Sequence, residues 1–398
     1  MSFDIALSGI QAINEQLETV SNNIANSGTY GFKASRANFS SLYAGEQANG
    51  VEIGSRTQNI GLNGGVQTTG RAMDAMIAGR GFFVARDPQG LMNYSRVGIF
   101  SVDKHGYVVD SGNRRVQGYG ATGGGALGVL GDLSVPTGQI PAVATTKISY
   151  VGNLSADWTV PATAFDSSDS ATYNMVKQSV VFDSLGTQHT VSQYFVKNAA
   201  ANKVDVYYSM DGAAVKAATS TPTSIAFDAK GQLATSPTIT TLTLTPTNGA
   251  AAQTFSIDYS GTTQFAGQAL TTTNSSNGYA SGAFVGVELA NDGSVVAKYS
   301  NEQQQVIGVL AVATFPDEGA LTQVSDTSWV ANDRSGLALY ERPGVGLAGK
   351  LNTGALEGSN VDITSELVGL MTSQRNYQAN SKVISTESAM MQALMQAM

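Results

Sequence analysis

The chain has 398 residues with a net charge of −8, and only 13% of them are charged, about half the usual share. It has no Cys, which excludes disulfides, thiolate nucleophiles and Cys-ligated metals, and its two His, His105 and His189, exclude a His-rich metal cluster. The acidic balance argues against the basic face that a nucleic-acid partner needs.

The first element expected is a helix over residues 1–28. Phe3, Ala6, Ile10, Ile13, Leu17, Val20 and Ile24 recur at alternating steps of three and four, the seven-residue repeat of one helix face seeking another helix. Asn26-Ser27-Gly28 then supplies a stop. The first basic residue is Lys33, preceded by Asp4, Glu15 and Glu18, so the start does not read as a cleaved secretory signal. Residues 29–70 read as a connecting segment.

β-structure follows. All nine prolines lie between Pro88 and Pro343, six of them between Pro136 and Pro246, so long helices are permitted only at the two ends. Asp103-Lys104-His105-Gly106, Asp183-Ser184-Leu185-Gly186 and Asp228-Ala229-Lys230-Gly231 each suit a type I turn followed by a residue at positive φ, a common hairpin connection. Strands are expected at Val97–Val102, Tyr107–Asp110, Val176–Phe182, Thr190–Val196, Val204–Ser209 and Leu242–Thr245. The Thr-, Ser- and Ala-rich stretch 146–283 reads as an outer β-domain inserted into an inner one made of 71–145 and 284–360. The longest apolar run, Val306–Phe315, is too short to span a bilayer as a helix, so no membrane insertion is expected.

The last element expected is a second helix within 361–398. Ile363, Leu367, Leu370, Tyr377, Ile384, Met391, Met395 and Met398 fit the same steps, with Gln374, Ser381 and Ser388 between them. Ser359 with Asp362 has capping-box spacing. The stripe is thin and partly polar. A narrow stripe returns less than ordering the helix costs, so both ends need several neighbours, which many copies of the chain would supply. The apolar positions Phe3, Ile10, Ile13, Leu17, Val20, Ile24, Ile363, Leu367, Leu370, Tyr377, Ile384 and Met391 are therefore the expected self-assembly surface. The fold class expected is α+β, mainly β, with terminal coiled-coil-like helices.

No catalytic, cofactor or metal site is expected. Gly123-x-Gly125-x-x-Gly128 matches a dinucleotide fingerprint, but no helical period follows it and no acid lies between Leu133 and Ala156. His105 in a turn and His189 in a strand read as structural or solvated. Arg114-Arg115 reads as a solvated loop, and Asp166 with Asp169 lacks the regular oxygen ligands of a calcium site.

At Ser21-Asn22-Asn23-Ile24-Ala25-Asn26-Ser27-Gly28-Thr29-Tyr30-Gly31-Phe32-Lys33 the sequence resembles the N-terminal signature of the bacterial flagellar rod and hook axial proteins. Ser359-Asn360-Val361-Asp362, Glu366-Leu367-Val368 and Gln374-Arg375-Asn376-Tyr377-Gln378-Ala379-Asn380 resemble that family's second signature. Thr69–Asp74, Gly79–Phe83 and Tyr94–Phe100 resemble its shared β-core. Val151–Ala156, Phe182–Thr187 and Tyr194–Lys197 look like the outer β-domain of its hook branch, which length also favours.

The resemblance implies a structural subunit that polymerises helically into the hollow, curved flagellar hook, a universal joint passing motor torque to the filament. It implies export through the type III apparatus without a cleaved signal, an extracellular location, and rod, hook-cap and hook–filament junction proteins as partners. A distal rod or junction protein of the same family is the alternative, and a secreted β-rich adhesin a second one.

Overall fold

The computed structural model describes residues 2–44, 47–122, 127–214, 216, 218, 220–234 and 239–397. Gly123 and Gly125 of the glycine-rich match, and Met398 of the last stripe, lie outside the described residues. The fold class is the expected one, mainly β with a long helix at each end: α1 (Ser2–Ala25) and α2 (Ile363–Ala397). The chain divides into two compact units. Unit 1 holds Met1–Thr137, Gly286–Lys298 and Gln304–Met398; unit 2 holds Gly138–Val285 and Tyr299–Gln303.

In unit 1 the strand Phe82–Arg86 is central. It pairs with Met92–Ser95, Arg115–Ala121 and Val312–Thr314. Phe82, Val84, Tyr94, Ala313, Phe315 and Trp329 fill the core beneath it. The Phe82 and Trp329 rings lie 5.4 Å apart, and Tyr94 meets Phe315 edge-on at 4.8 Å. Two short antiparallel ladders then join distant parts of the chain: Lys350–Thr353 with Ala75–Ala78, and Ala355–Glu357 with Val66–Thr68.

Within the expected connecting segment 29–70 the chain forms a long hairpin, β1 (Ser35–Ala44) and β2 (Gln47–Gln58). Register shifts at Asn38/Phe39 and Leu42/Tyr43 break its side-chain alternation, which hides it from a period-two reading. Trp329 Nε1 donates to Gln58 Oε1 at 2.8 Å and ties the end of β2 to the core.

Unit 2 holds two four-stranded sheets. One runs Ile239–Leu244, Gln253–Asp258, Lys147–Asn153, Leu270–Ser276; the other is the antiparallel series Met175–Phe182, Gln188–Lys197, Lys203–Met210, Thr223–Ala226. Ile148, Tyr150, Val181, Val191, Phe195, Val204, Val206, Phe255 and Ile257 from both sheets form one core. Val204 and Val206 point inward at alternate positions, as strand geometry requires.

The three Asp-x-x-Gly turns form as expected. Gly106, Gly186 and Gly231 sit at φ +84°, +84° and +75°. Each aspartate folds back on its own turn: Asp183 Oδ1, for instance, accepts from the backbone N–H of Leu185 and Thr187 at 2.9 and 2.8 Å. The strand expected over Val97–Val102 is shorter, Phe100–Val102. At Gly98 the backbone passes so close to Ala75 that an added Cβ would lie 1.9 Å from its carbonyl oxygen, which leaves no room for an ordinary strand residue. Asp362, not Ser359, caps α2: its Oδ1 accepts from Thr364 N at 3.0 Å and its Oδ2 from Ser365 Oγ at 2.7 Å. Those bonds, Ser365 first, hold its carboxyl below the usual range.

Candidate functional site

The two terminal helices pack antiparallel in one register. Asn23 Nδ2 donates to Glu366 Oε1 at 2.9 Å, Gly369 faces Val20, and Gly9 faces Asn380. Glycine at position 9 makes room for the Asn380 side chain, since an added Cβ there would stand 3.0 Å from Asn380 Nδ2. Extending that register to the start of α1 brings Ser2 level with Glu387. The rest of α2, up to Ala397, runs past the end of α1 for about 15 Å at 1.5 Å per residue.

The expected stripe is divided between two uses. Ile13 and Val20, with Ala6, are buried within the chain and have little side-chain surface left to offer another copy. Ile10, Leu17 and Ile24 are half-buried, and Phe3 is exposed. On α2, Leu370 and Ile384 are half-buried, whereas Ile363, Leu367, Tyr377 and Met391 are exposed. Ile5, Leu7, Val368, Met371, Val383, Met390 and Leu394, which lie outside the expected stripes, are also exposed. In the part of α2 beyond α1, Met390, Met391, Leu394 and Met395 are each 59–70% exposed. Their spacing puts them on one side of the helix. That spacing, adjacent pairs four apart, was readable in the sequence.

The signature residues build the junction between these helices and the β-structure. Asn22 accepts from Asn26 Nδ2 through its backbone oxygen and its Oδ1, at 3.0 and 2.9 Å, and Thr29 Oγ1 donates to Asn26 Oδ1 at 3.0 Å, which closes the turn after α1. Asn23 grips both backbone groups of Ser35, donating to its oxygen at 2.8 Å and accepting from its N–H at 2.9 Å. Gly31 sits at φ +66°, where an added Cβ would meet Val97 Cγ2 at 3.0 Å and the Arg96 carbonyl carbon at 3.1 Å. Phe32 is buried beside it in sequence. Lys33 Nζ donates to Glu357 Oε1 at 2.6 Å and to the Leu62 oxygen at 2.7 Å. Burial pulls the Lys33 ammonium below its ordinary pKa, against the pull of Glu357. Ala25, Gln374, Arg375 and Gln378 face solvent, and Asn380 is half-buried against Gly9.

The residues tested for chemistry are engaged in structural contacts. His189 Nδ1 lies 2.7 Å from Asp211 Oδ2, and its Nε2 lies 3.4 Å from Asp183 Oδ2. The hydrogen bond to Asp211 has the largest effect and raises the imidazole pKa; burial opposes it, and the contact with Asp183 adds to the rise. Arg114 pairs with Asp110 at 2.8 Å; Arg115 pairs with Asp132 at 3.1 Å and lies over the Tyr107 ring. Asp166 pairs with Lys216, and Asp169 caps a short 3-10 turn. Among the described residues no group of three or more His, Asp or Glu is placed to hold a metal ion, and no helix is long and apolar enough to cross a membrane.

Known proteins place these features in context. Four family models match: flagella basal body rod protein over residues 3–33, flagellar hook protein FlgE/F/G D1 domain over 76–156, flagellar basal body protein FlaE D2 domain over 153–279, and flagellar basal body rod FlgEFG protein C-terminal over 352–397. The chain is similar along its length to the flagellar hook protein FlgE of Salmonella typhimurium, 37% identical with 99% of each chain covered. The FlgE of Escherichia coli is 36% identical over 99% of each chain, and that of Treponema pallidum 29% identical over 98% of this chain and 97% of its own. Among solved structures, Helicobacter pylori flagellar hook protein FlgE2 shares the fold with a TM-score of 0.53 at 12% identity, covering 73% of this chain and 100% of that one.

Proposed function

The chain belongs to the flagellar hook protein family and is a structural subunit of the bacterial flagellar hook, and from that premise we propose that its copies join into a hollow tube through the exposed faces of α1 and α2. The observation that carries this reading is the end of α2. Four large apolar side chains stand in water on a stretch of helix that extends past α1. An isolated helix end of this kind is marginal in water and gains order when a second apolar face covers it. A neighbouring copy offers such a face in Phe3 and Leu7, one turn apart at the start of its own α1.

Residues 1–28 and 361–398 then make the inner wall, with segment 29–70 connecting it to the β-rich domains 71–145 with 284–360 and 146–283. Gln374, Gln378, Gln392 and Gln396 are exposed amides. Facing the channel, they would pass exported chains without trapping them by charge. The tube acts as a curved universal joint between the rod and the filament. Its partners are the rod, hook-cap and hook–filament junction proteins, and the subunit reaches the cell exterior through the type III export apparatus without a cleaved signal.

The test is electron microscopy of the purified full chain under salting-out conditions, beside a chain lacking residues 388–398. Curved hollow tubes from the first and none from the second are expected. Equal tubes from both would overturn the reading.

A further inference from the structure

Glu357 is a fully buried carboxylate that gathers three distant segments. Its Oε1 accepts from Lys33 Nζ at 2.6 Å and from Gly64 N at 3.0 Å, and its Oε2 lies 3.4 Å from Arg96 Nη1. Its backbone oxygen accepts from Gly31 N at 2.8 Å. Lys33, Arg96 and Glu357 are each at most 1% exposed. Three residues further on, Asn360 repeats the pattern. Its Oδ1 accepts from Ala34 N at 2.7 Å, and its Nδ2 donates to the Asn59 and Leu62 oxygens at 2.8 and 2.9 Å. Lys33 follows the end of α1 closely, and Glu357 closely precedes the start of α2.

Stability alone does not account for this cluster. It buries two cations against one direct carboxylate, with Glu318 acting on both cations from farther away. Arg96 Nη1 reaches the Gly79 oxygen at 2.9 Å, but its Nε and Nη2 are buried without a hydrogen-bond partner among the described residues. Taking such charges out of water costs several kcal/mol per ion, and apolar side chains of similar volume often replace them at no loss. The hydrogen bonds of this network can all form in only one register of the segments that carry them.

We propose that Glu357, held between Lys33 and Arg96, is a positioning residue for assembly: it fixes the direction in which α1 and α2 leave the β-structure, so that their exposed faces meet neighbouring copies. This rests on the assembly reading above. Without the network, both helices still attach but swing about their junctions, and each copy must be aligned as it is added.

Lys33→Met is the discriminating variant, because it leaves Arg96 and Glu357 as a one-to-one pair. Wild type, Lys33→Met and Lys33→Arg are compared by thermal melting of the full-length monomer and by the critical concentration for tube formation. Lys33→Met is expected to keep the wild-type melting temperature and to need a critical concentration about tenfold higher, with Lys33→Arg restoring wild-type assembly. Wild-type assembly by a folded Lys33→Met chain, or a critical concentration that merely follows the melting temperature, overturns the proposal. Absence of tubes from wild type would instead overturn the assembly reading on which it rests.

Discussion

Asn23 on α1 and Glu366 on α2 stand 343 positions apart in sequence and share a 2.9 Å hydrogen bond. The same amide holds both backbone groups of Ser35, so one side chain locks the helix pair to the base of the β1–β2 hairpin. Asn23→Ala leaves those polar groups short of partners, at about 1–3 kcal/mol. Asn23→Asp is worse, because it turns the donor that faces Ser35 and Glu366 into a second negative acceptor. The critical concentration for assembly should rise in the order wild type, Asn23→Ala, Asn23→Asp, by about tenfold for each 1.4 kcal/mol lost. The reverse order would show that Glu366 does not face Asn23 in the tube.

The exposed end of α2 separates folding from assembly. Replacing Met390, Met391, Leu394 and Met395 together by Gln takes no buried side chain out of the monomer, since all four are exposed. Each would contribute about 1.5–3 kcal/mol when buried by a neighbour. The monomer should melt as wild type while tubes fail to form at any practical concentration, as read by sedimentation.

Unit 2 carries its own pH dependence. His189 has a raised pKa, so the stability it supplies is complete below the unfolded value of about 6.5 and is lost as pH rises through the folded value. Asp183 runs the other way. Burial pushes its carboxyl up, but Asn248, Thr187 N–H, His189 and Leu185 N–H outweigh that and hold it at about 2. Its contribution is complete above the unfolded value and is lost as pH falls toward 2. Thermal melting of the full chain should therefore show a plateau between about pH 4 and 6.5 for the transition of this unit. His189→Asn should lower the plateau and flatten its alkaline side. An alkaline side unchanged in His189→Asn would remove the imidazole from the account.

Gly31 tests the junction. At φ +66° an L side chain costs about 1–2 kcal/mol in backbone strain, and its Cβ would also crowd Val97. Gly31→Ala should lower the midpoint of urea unfolding followed by far-ultraviolet circular dichroism. Gly28, whose Cβ would meet nothing within 4 Å, should accept Ala without loss.

What the sequence made legible was local. An Asp three positions before a Gly specifies its own turn, so Asp103, Asp183 and Asp228 could be read without knowing anything else. Both terminal helices announce themselves by period. The division of the α1 stripe could not be read that way, because Ile13 and Phe3 carry the same pattern and only the presence of α2 and the hairpin buries one and exposes the other. The Lys33–Glu357–Arg96 cluster was illegible for a related reason. Its members are common residue types, Glu357 lies 324 positions from Lys33 and 261 from Arg96, and nothing near any one of them signals burial. The hairpin β1–β2 was lost to its two register shifts, which interrupt the alternation by which a strand is recognised.

The most direct measurement is electron cryo-microscopy of tubes assembled from the full chain, at a resolution that shows side chains. The account predicts α1 and α2 lining the channel as an antiparallel pair, with Met390, Met391, Leu394 and Met395 covered by another copy. Tubes in which those four side chains face open solvent, or in which the terminal helices are not ordered at all, would contradict it.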